Sequence, residues 1–337
     1  MHGYSLFNRL KAIKGVALIT VMLIVALAAI ITTQMTARLQ LQVQRTSNIH
    51  NNQQAYWYAL GAEAFGKRVL ITSFESEKEV THLEQEWAQG EMTYPVEQGE
   101  ITGEISDMHT CFNLNALKGE STKIAGESKT IPQKSFEDLV VALNIEGVGE
   151  FDAEYLTEAL IDWLDSDSGI SSAGGAEDND YASREFPYLA ANNYLASVSE
   201  LRVIEHFTIP IINVLKDYVC VLPNTDLHQI NINTLDAEKP EILKALLDIP
   251  LSDATQLLNA RDPEGYEEID TFFALPEFTS LTLTDVDERK KQLVIDSEYF
   301  KLKTQASFNE SYFSLISIMK IEENNEVRVI SRTIGRE

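Results

Sequence analysis

The strongest pattern along the chain is one long apolar segment near the N-terminus. Residues 16–31 are apolar at every position except Thr20, so the run is long enough to enter a lipid bilayer as a helix. No glycine or proline interrupts residues 32–60, where apolar residues recur at helical spacing. The pattern predicts one continuous helix over residues 16–73, with its first half in lipid and its second half against a folded domain.

Beyond this helix the periodicity changes twice. Short strand-like stretches occupy residues 92–117, and helical spacing in short pieces dominates residues 135–278. Alternating or β-branched segments return at residues 299–306, 312–321 and 326–334, with a hairpin turn predicted at residues 322–325. This order predicts an α+β fold. Strands are expected within residues 74–130 and 281–337, on either side of an α-helical stretch over residues 131–280.

Three cations, Arg9, Lys11 and Lys14, lie directly before the apolar run in a short polar leader. Cations at this position direct the N-terminus of a membrane helix to the cytoplasm. Three interpretations remain open: a secretory signal cut near residues 26–28, an uncut single-pass anchor, or a short leader cut after Gly15. The helical spacing continues well beyond the apolar run, which a discarded signal does not require.

An acidic loop carries the second chemical signal. Six carboxylates lie between residues 162 and 180, with no lysine or arginine among them. Hard oxygen ligands on a glycine-rich loop suit calcium, which takes roughly six to eight oxygens, whereas zinc prefers histidine and cysteine. The spacing does not fit an EF-hand, because Ile170 and Ala176 would occupy its fixed glycine and glutamate positions. A solvated acidic loop without a metal is the alternative.

The two signals together carry a family resemblance. The segment Gly15-Val16-Ala17-Leu18-Ile19-Thr20 is similar to the processing site of type IV pilin-like proteins. With the later Asp-Trp-x-Asp-x-Asp run and its Gly-Gly-Ala-Glu-Asp continuation, the chain resembles protein K of the type II secretion pathway, the large minor pseudopilin. The resemblance extends over nearly the whole chain. It implies a pilin-like fold, in which the long N-terminal helix packs on the antiparallel sheet and a large helical domain is inserted.

The resemblance also implies a place in the cell and a set of partners. A prepilin peptidase would remove residues 1–15 by cutting between Gly15 and Val16, and one span would hold the protein in the inner membrane with its bulk in the periplasm. Other minor pseudopilins, proteins I and J of the pathway, would join it at the tip of the pseudopilus. There it would start assembly and support export of folded proteins across the outer membrane.

Thr20 is a departure from the pilin pattern, because pilin-like subunits usually carry glutamate at the fifth mature position. In pilin-like assembly, as the resemblance implies, that glutamate neutralises the free N-terminal amine of the subunit above. Thr20 carries no charge, so a subunit of this kind suits the first position. The alternative is a polar residue tolerated in a membrane helix, with its hydroxyl bonded to the preceding turn.

The resemblance assigns calcium ligands within the acidic loop and at the helix before it. The candidate ligands are Asp165, Asp167, Glu177, Asp178 and Asp180, together with Asp162 on the preceding helix. The division of these carboxylates between one ion and two stays open.

The two cysteines, Cys111 and Cys220, are an even and sparse pair. In an oxidising periplasm such a pair favours one disulfide, and two buried free thiols are the alternative. Each precedes an x-Asn-x-Asn-x-Leu sequence, at residues 112–117 and 230–235, which predicts two similar turns leading into helices. In the second of these, Asn233 or Thr234 is the predicted N-cap.

Charge argues against nucleic acid as a partner. Cutting after Gly15 removes three of the 27 Lys and Arg residues and none of the 52 Asp and Glu, which leaves a formal charge of −28. Residues 231–270 resemble a SAM-like or helix-hairpin-helix module, but they hold three cations against ten acids. A DNA-uptake or type IV minor pilin is therefore the lesser interpretation.

The sequence gives little support to an enzymatic function. The six histidines are scattered, and no phosphate loop, dinucleotide fingerprint or zinc-protease motif is present. A secreted calcium-dependent hydrolase is the remaining enzymatic alternative. The sequence predicts a non-enzymatic subunit.

Overall fold

The structure is a computed structural model that describes residues 14–76, 79–119, 124, 129–283, 285–322 and 326–335. Residues 1–13 of the expected leader and residues 323–325 of the expected hairpin turn lie outside these ranges. The helices α1 to α10 are, in chain order, Lys14–Ser76, Ile131–Ala142, Glu150–Leu164, Asp178–Ala182, Ile209–Leu215, Pro240–Leu247, Leu251–Asn259, Ile269–Phe273, Pro276–Thr279 and Val286–Lys290. The strands β1 to β9 are Met92–Val96, Gly99–Asp107, Phe112–Asn113, Val219–Cys220, Ile230–Asn231, Leu293–Val294, Tyr299–Phe308, Ser311–Ile321 and Val327–Ile334.

A five-stranded antiparallel sheet is built from both ends of the folded part. Its strand order is β1-β2-β7-β8-β9, so a strand near residue 100 pairs with one near residue 300. In that pairing Ile101 lies opposite Ala306 and Asp107 lies opposite Phe300. The α+β class is confirmed, and residues 108–298 are inserted between two neighbouring strands of one sheet.

Helix α1 begins two residues before the predicted bound and ends three residues after it. Residues 15–50 are exposed along its whole circumference, whereas Ala55, Ala59, Leu70 and Phe74 are buried at helical spacing against the sheet. At Gly66 an added Cβ would lie 3.0 Å from a Leu302 methyl group, so the glycine lets helix and sheet approach closely. The second half of α1 therefore docks on the sheet, as the sequence predicts.

One buried ion pair joins α1 to the sheet. Glu63 is 6% exposed and accepts two hydrogen bonds from the Arg332 guanidinium at 2.7 and 2.8 Å, and a third from the Ser317 hydroxyl at 2.5 Å. Burial acts to raise the pKa of Glu63, but these hydrogen bonds and the Arg332 charge outweigh it and lower the pKa. Glu63 is therefore ionised and fixes the rotation of α1 against β8 and β9.

The inserted part has its own hydrophobic core, which extends beyond the predicted bounds of 131 and 280. Phe112, Leu114 and Leu117 at one end and Leu293 at the other pack in the same core as Phe136, Leu160 and Leu246. The described residues between 112 and 295, called here the helical unit, therefore form one body. The ends of this unit differ from the prediction because their strands are two residues long and show no periodicity.

Two related turns organise the helical unit. The side chains of Asn113 and Asn231 each accept a hydrogen bond from the backbone N–H two residues later, at 3.2 and 2.8 Å. The next asparagines fasten distant loops, because Asn115 exchanges hydrogen bonds with the Leu195 backbone and Asn233 does the same with Tyr266. The N-cap prediction for Asn233 or Thr234 is wrong, since a turn tied to another loop follows the strand instead of a helix.

A buried polar network ties the helical unit to the sheet at the end of β2. Asp107 accepts hydrogen bonds from the Ser297 hydroxyl at 2.6 Å and from the Thr234 hydroxyl at 2.5 Å. Thr81 follows α1 in the chain, and its backbone N–H donates to the Ile295 carbonyl at 2.8 Å. The helical unit is therefore attached near the C-terminal end of α1, far from the apolar segment.

Candidate metal centre and membrane helix

Three carboxylates converge where α3 ends and α4 begins. Asp162 and Asp165 lie one turn apart at the C-terminal end of α3, and Glu177 is the N-cap of α4. One oxygen from each lies within 4.8 Å of the other two. Asp162 and Glu177 are buried, at 0% and 1% exposure. The C-terminal end of a helix also favours a cation, so the local field adds to the carboxylate charges.

Two glycines allow the loop to fold back onto α3. A Cβ on Gly175 would overlap the Asp162 Oδ2 atom, and a Cβ on Gly174 would overlap the backbone of Tyr155 and the Glu158 carboxylate. The Gly174 N–H instead donates to Glu158 at 2.8 Å. The Gly-Gly pair is therefore what brings Glu177 against the end of α3.

Burial and mutual repulsion both disfavour the ionised forms of these carboxylates. Burial raises the pKa of Glu177 to about 7, and the nearby Asp162, Asp165 and Asp178 charges add to the rise. Burial also raises the pKa of Asp162 and of Asp165, against opposing hydrogen bonds from Ser171 and from the Asp167 backbone respectively. Carboxylates this close repel one another when all three are ionised, and a bound cation or protonation of one of them would relieve that repulsion.

Acidification is therefore expected to stabilise the metal-free protein. The folded-state pKa of Glu177, about 7, lies above its ordinary value of 4.5, so the ionised form opposes folding and protonation removes that penalty. Between pH 7 and pH 5 in chelator, the melting temperature of the wild type should rise relative to that of Glu177→Gln. A difference between the two proteins that does not change with pH would contradict this electrostatic description.

The donor set fits a hard divalent cation such as calcium. Asp162 Oδ2 and Glu177 Oε1 are buried oxygens without a hydrogen-bond partner. Such atoms carry a desolvation cost that coordination of a cation would remove. All three side chains offer carboxylate oxygens, which calcium prefers.

The other three predicted ligands are not part of this group of three. Asp178 accepts a hydrogen bond from the Ala190 N–H at 3.1 Å, and Asp180 caps α4 by accepting from the Glu177 N–H at 3.0 Å. Asp167 is exposed and accepts from the Gly169 N–H at 2.8 Å. Their assignment as ligands stays a prediction.

Sequence reasoning missed three residues beside the group. The Ser171 hydroxyl donates to Asp162 at 2.5 Å, and the Lys118 ammonium donates to the Leu164 carbonyl next to Asp165. Asn192 donates to the Trp163 and Asp167 carbonyls, and its own side-chain oxygen is buried without a partner. Lys118 and Asn192 come from other segments of the chain, so the sequence pattern of the acidic loop does not identify them.

Cys111 and Cys220 form a disulfide in the structure, with Cα atoms 5.7 Å apart. Strands β3 and β4 pair in parallel beside it and place Asn113 opposite Cys220. The bond closes a loop of 109 residues that contains α2 to α5. It lies where the helical unit meets the sheet, beside Met108 and Tyr299.

The first half of α1 is long and apolar enough to cross a membrane, and its most apolar 18-residue window has a mean hydropathy of 2.7. Gly15, Val16 and Thr20 lie in its first turns. The Thr20 hydroxyl donates to the Ala17 carbonyl at 2.9 Å, which satisfies it inside an apolar segment. The first carboxylate after Val16 is Glu63, which is bound to Arg332.

Relatives of the chain share one description. Two family profiles, both described as type II secretion system protein K, match residues 110–224 and 230–296 respectively. The type II secretion system protein K of Aeromonas hydrophila is 34% identical over 327 residues, which is 95% of this chain and 97% of that protein. The protein of the same name from Klebsiella pneumoniae is 36% identical over 326 residues, 96% of each chain.

A solved structure has the same fold. It is a chain in the crystal structure of the GspK–GspI–GspJ complex of the type 2 secretion system of enterotoxigenic Escherichia coli. The TM-score is 0.77 at 33% identity, and the match covers 87% of this chain and 100% of that chain. The two profile matches cover most of the helical unit, and the relatives extend over nearly the full length. The chain belongs to the type II secretion system protein K family.

Proposed function

We propose that this chain is a minor pseudopilin at the tip of the type II secretion pseudopilus, where it starts assembly and supports export of folded proteins across the outer membrane. One observation carries the proposal. The family match extends over 95% of the chain, and the chain combines an unpacked apolar half-helix with a folded part docked on its other half. A subunit of this shape can be held in a membrane by one end and present its bulk at the other.

The proposed topology has a cytoplasmic N-terminus, one inner-membrane span and a periplasmic folded part. Arg9, Lys11 and Lys14 before the apolar run support this orientation. The disulfide between Cys111 and Cys220 supports an oxidising compartment for the folded part. A prepilin peptidase would release the leader by cutting between Gly15 and Val16.

Two features support the tip position. Thr20 leaves the chain without the carboxylate that a pilin-like subunit offers to the amine of the subunit above it, and no other carboxylate precedes Glu63 in the mature helix. The helical unit is attached just beyond the end of α1, at Thr81 and Asp107. Its bulk would block addition of another subunit above this one. The partners that fit are proteins I and J, the other chains named in the solved complex of the relative.

Calcium is the metal we propose for the acidic group, with Asp162, Asp165 and Glu177 holding it. When bound, it would neutralise the three carboxylates and fasten the loop before α4 to the end of α3. The role is structural, and it keeps the surface of the helical unit fixed. Asp167, Asp178, Asp180 and the amide oxygen of Asn192 are further oxygens within the same loop system.

Processing and export test the proposal together. In a strain without this chain, wild-type protein should restore export of a secreted enzyme, and mass spectrometry should find a mature protein that begins at Val16. Gly15→Leu should stay uncleaved and reduce export to the level of the empty strain, because an uncut leader keeps the cationic segment on the helix. Export is measured as enzyme activity in the culture medium.

The matched control is Gly3→Leu, which makes the same change in the leader away from the cut and should be processed and active. A mature protein beginning near Ala29 would show a secretory signal and remove the proposal. Normal export in the strain without the chain would remove it as well.

A further inference from the structure

An acidic cleft lies where the end of α1 meets the helical unit. Its wide part has a volume of about 810 Å³. Glu79 and Glu84 line it from the segment after α1, on one side. Glu264 and Glu267 line it from the loop before α8, which belongs to the helical unit. A narrower part of about 200 Å³ continues from it, since His82 and Glu84 line both, and the two parts together are called here the joint cleft.

The negative charge of the joint cleft is not balanced by the described residues. None of those that line it is a lysine or an arginine, and none of their ion pairs involves Glu79, Glu84, Glu264 or Glu267. All four side chains are exposed, so water screens their mutual repulsion. The last turn of α1 also contains no basic residue, and the C-terminal end of a helix favours a cation.

A buried hydroxyl without a partner lies at the inner end of the joint cleft. Ser73 of α1 lines the narrow part and is 6% exposed. Its Oγ atom has no hydrogen-bond partner, although Ser76 one turn later bonds to the Thr72 and Ser73 carbonyls. A buried hydroxyl left unbonded carries a desolvation cost. An ammonium or guanidinium group that enters the narrow part can donate to this oxygen and remove the cost.

Both sides of the joint cleft are held by buried amide side chains. On the α1 side, Gln85 donates to the Val80 carbonyl at 3.0 Å. On the other side, Asn233 exchanges hydrogen bonds with the Tyr266 backbone at 2.8 and 3.0 Å. Gly265 has a φ of +73°, and a Cβ there would overlap the Asn233 amide. The glutamates therefore project from fixed backbone, which lowers the entropy cost of binding.

A single metal ion does not fit this arrangement. Among the residues that the structure describes, only Asp162, Asp165 and Glu177 bring three ligand atoms within 4.8 Å of one another. The carboxylates of the joint cleft are therefore too widely spaced to share one ion. The His82 Nδ1 atom already accepts a hydrogen bond from the Glu84 N–H at 3.3 Å. A long cationic side chain suits carboxylates spread over a cleft of this size better than one ion does.

We propose that the joint cleft binds a lysine or arginine side chain from a basic segment of a second protein. Charge complementarity selects this occupant, because four carboxylates, a helix C-terminus and an unbonded hydroxyl all favour a cationic donor. One side of the cleft follows α1 and the other belongs to the helical unit. An occupant would therefore bridge the two parts and offset the repulsion between their glutamates. The proposal goes beyond the proposed function and does not depend on the tip position.

Fluorescence anisotropy of a labelled peptide tests the proposal on the full-length chain in detergent. The probe is a glycine–serine peptide with a central Lys-Arg-Lys, and the reference peptide has glutamine at those three positions. Calcium is present throughout, so that the acidic loop before α4 does not vary. The double variant Glu264→Gln, Glu267→Gln should weaken binding of the probe by about fivefold. The control Glu146→Gln, Glu185→Gln removes the same charge from exposed positions outside the cleft and should change binding by less than twofold.

Ser73→Ala tests the inner end of the joint cleft. It should weaken binding of the probe by about threefold, whereas its melting temperature should stay unchanged or rise, because an unbonded hydroxyl is removed from a helix. A serine with only a structural role would leave binding unchanged.

Three results would overturn the proposal. They are equal binding of the probe to the wild type and to Glu264→Gln, Glu267→Gln, equal binding of the probe and the glutamine reference, and tighter binding of spermidine than of the probe. The last result would show a site for small polyamines instead of a protein segment. The proposed function stands in each of these cases, since none of them measures export or processing.

Discussion

Removal of the proposed calcium from the folded part of this protein is expected to lower its melting temperature by about 5–10 °C. Saturation at about one hundred times the dissociation constant contributes about 2.7 kcal/mol, and each kcal/mol shifts the melting temperature of a domain of this size by about 2–4 °C. A fragment that begins at residue 40 suits the measurement, because residues 15–50 are exposed along α1 and the fragment keeps the contact of His50 with Phe308. Calorimetry in calcium and in excess chelator gives the shift.

Isosteric variants separate coordination from packing. In Asp162→Asn the response to calcium should disappear, because a buried carboxylate of the group loses its charge. In chelator this variant should be at least as stable as the wild type, since it removes repulsion among Asp162, Asp165 and Glu177. The control Asp270→Asn changes an exposed carboxylate on α8 and should keep the full response. A wild type that contains no metal by elemental analysis and does not respond to chelator would remove the calcium assignment.

Loss of the disulfide is expected to cost up to about 4–5 kcal/mol of folding free energy. The bond between Cys111 and Cys220 closes a loop of 109 residues, and in the chain-entropy model a loop of this length restricts the unfolded chain strongly. The double variant Cys111→Ala, Cys220→Ala should therefore unfold at a lower urea midpoint than the oxidised wild type. The difference in unfolding free energy is obtained from urea titrations followed by circular dichroism.

Reductant supplies the internal control for this bond. Dithiothreitol should lower the stability of the wild type to near that of the double variant and should leave the double variant unchanged. Alkylation of two free thiols in protein purified from the periplasm would show that the bond does not form there. Equal urea midpoints for oxidised wild type and double variant would contradict the entropic contribution.

Long periodic segments of this fold could be predicted from sequence because their patterns are dictated by their surroundings. The apolar half of α1 is exposed along its whole circumference and the strands β7 to β9 lie in one two-faced sheet, so each has a uniform environment. Their predicted bounds differ from the observed ones by at most three residues. Helix α6 lies within the predicted stretch of helical spacing over residues 135–278, because Pro240 marks its first turn and its apolar face is continuous.

The ends of the helical unit could not be predicted in the same way. Phe112 and Leu293 lie in two-residue strands, which are too short to display a period, and their partners are far away in sequence. The side chains of Asn113 and Asn231 act through turns and distant loops, and only the folded chain defines those partners.

The acidic loop shows how local structure redistributes neighbouring carboxylates. Glu177, Asp178 and Asp180 are close in sequence. Because α4 begins at Asp178, their side chains bind different groups. Glu177 joins the group at the end of α3, whereas Asp180 caps the helix and Asp178 holds the Ala190 N–H. A capping box usually pairs Ser, Thr, Asp or Asn with Glu or Gln three residues later, so Glu177 and Asp180 form one here without the usual sequence pattern.

Gold labelling of assembled pseudopili tests the central claim most directly. An antibody against the helical unit is applied to pseudopili sheared from cells that overproduce the major subunit, and gold positions are scored by electron microscopy. The account predicts label at a single end of each fibre and none along the shaft, because Thr20 and the helical unit allow only the first position. Label distributed along the shaft, or fibres that form in normal number without this chain, would contradict it.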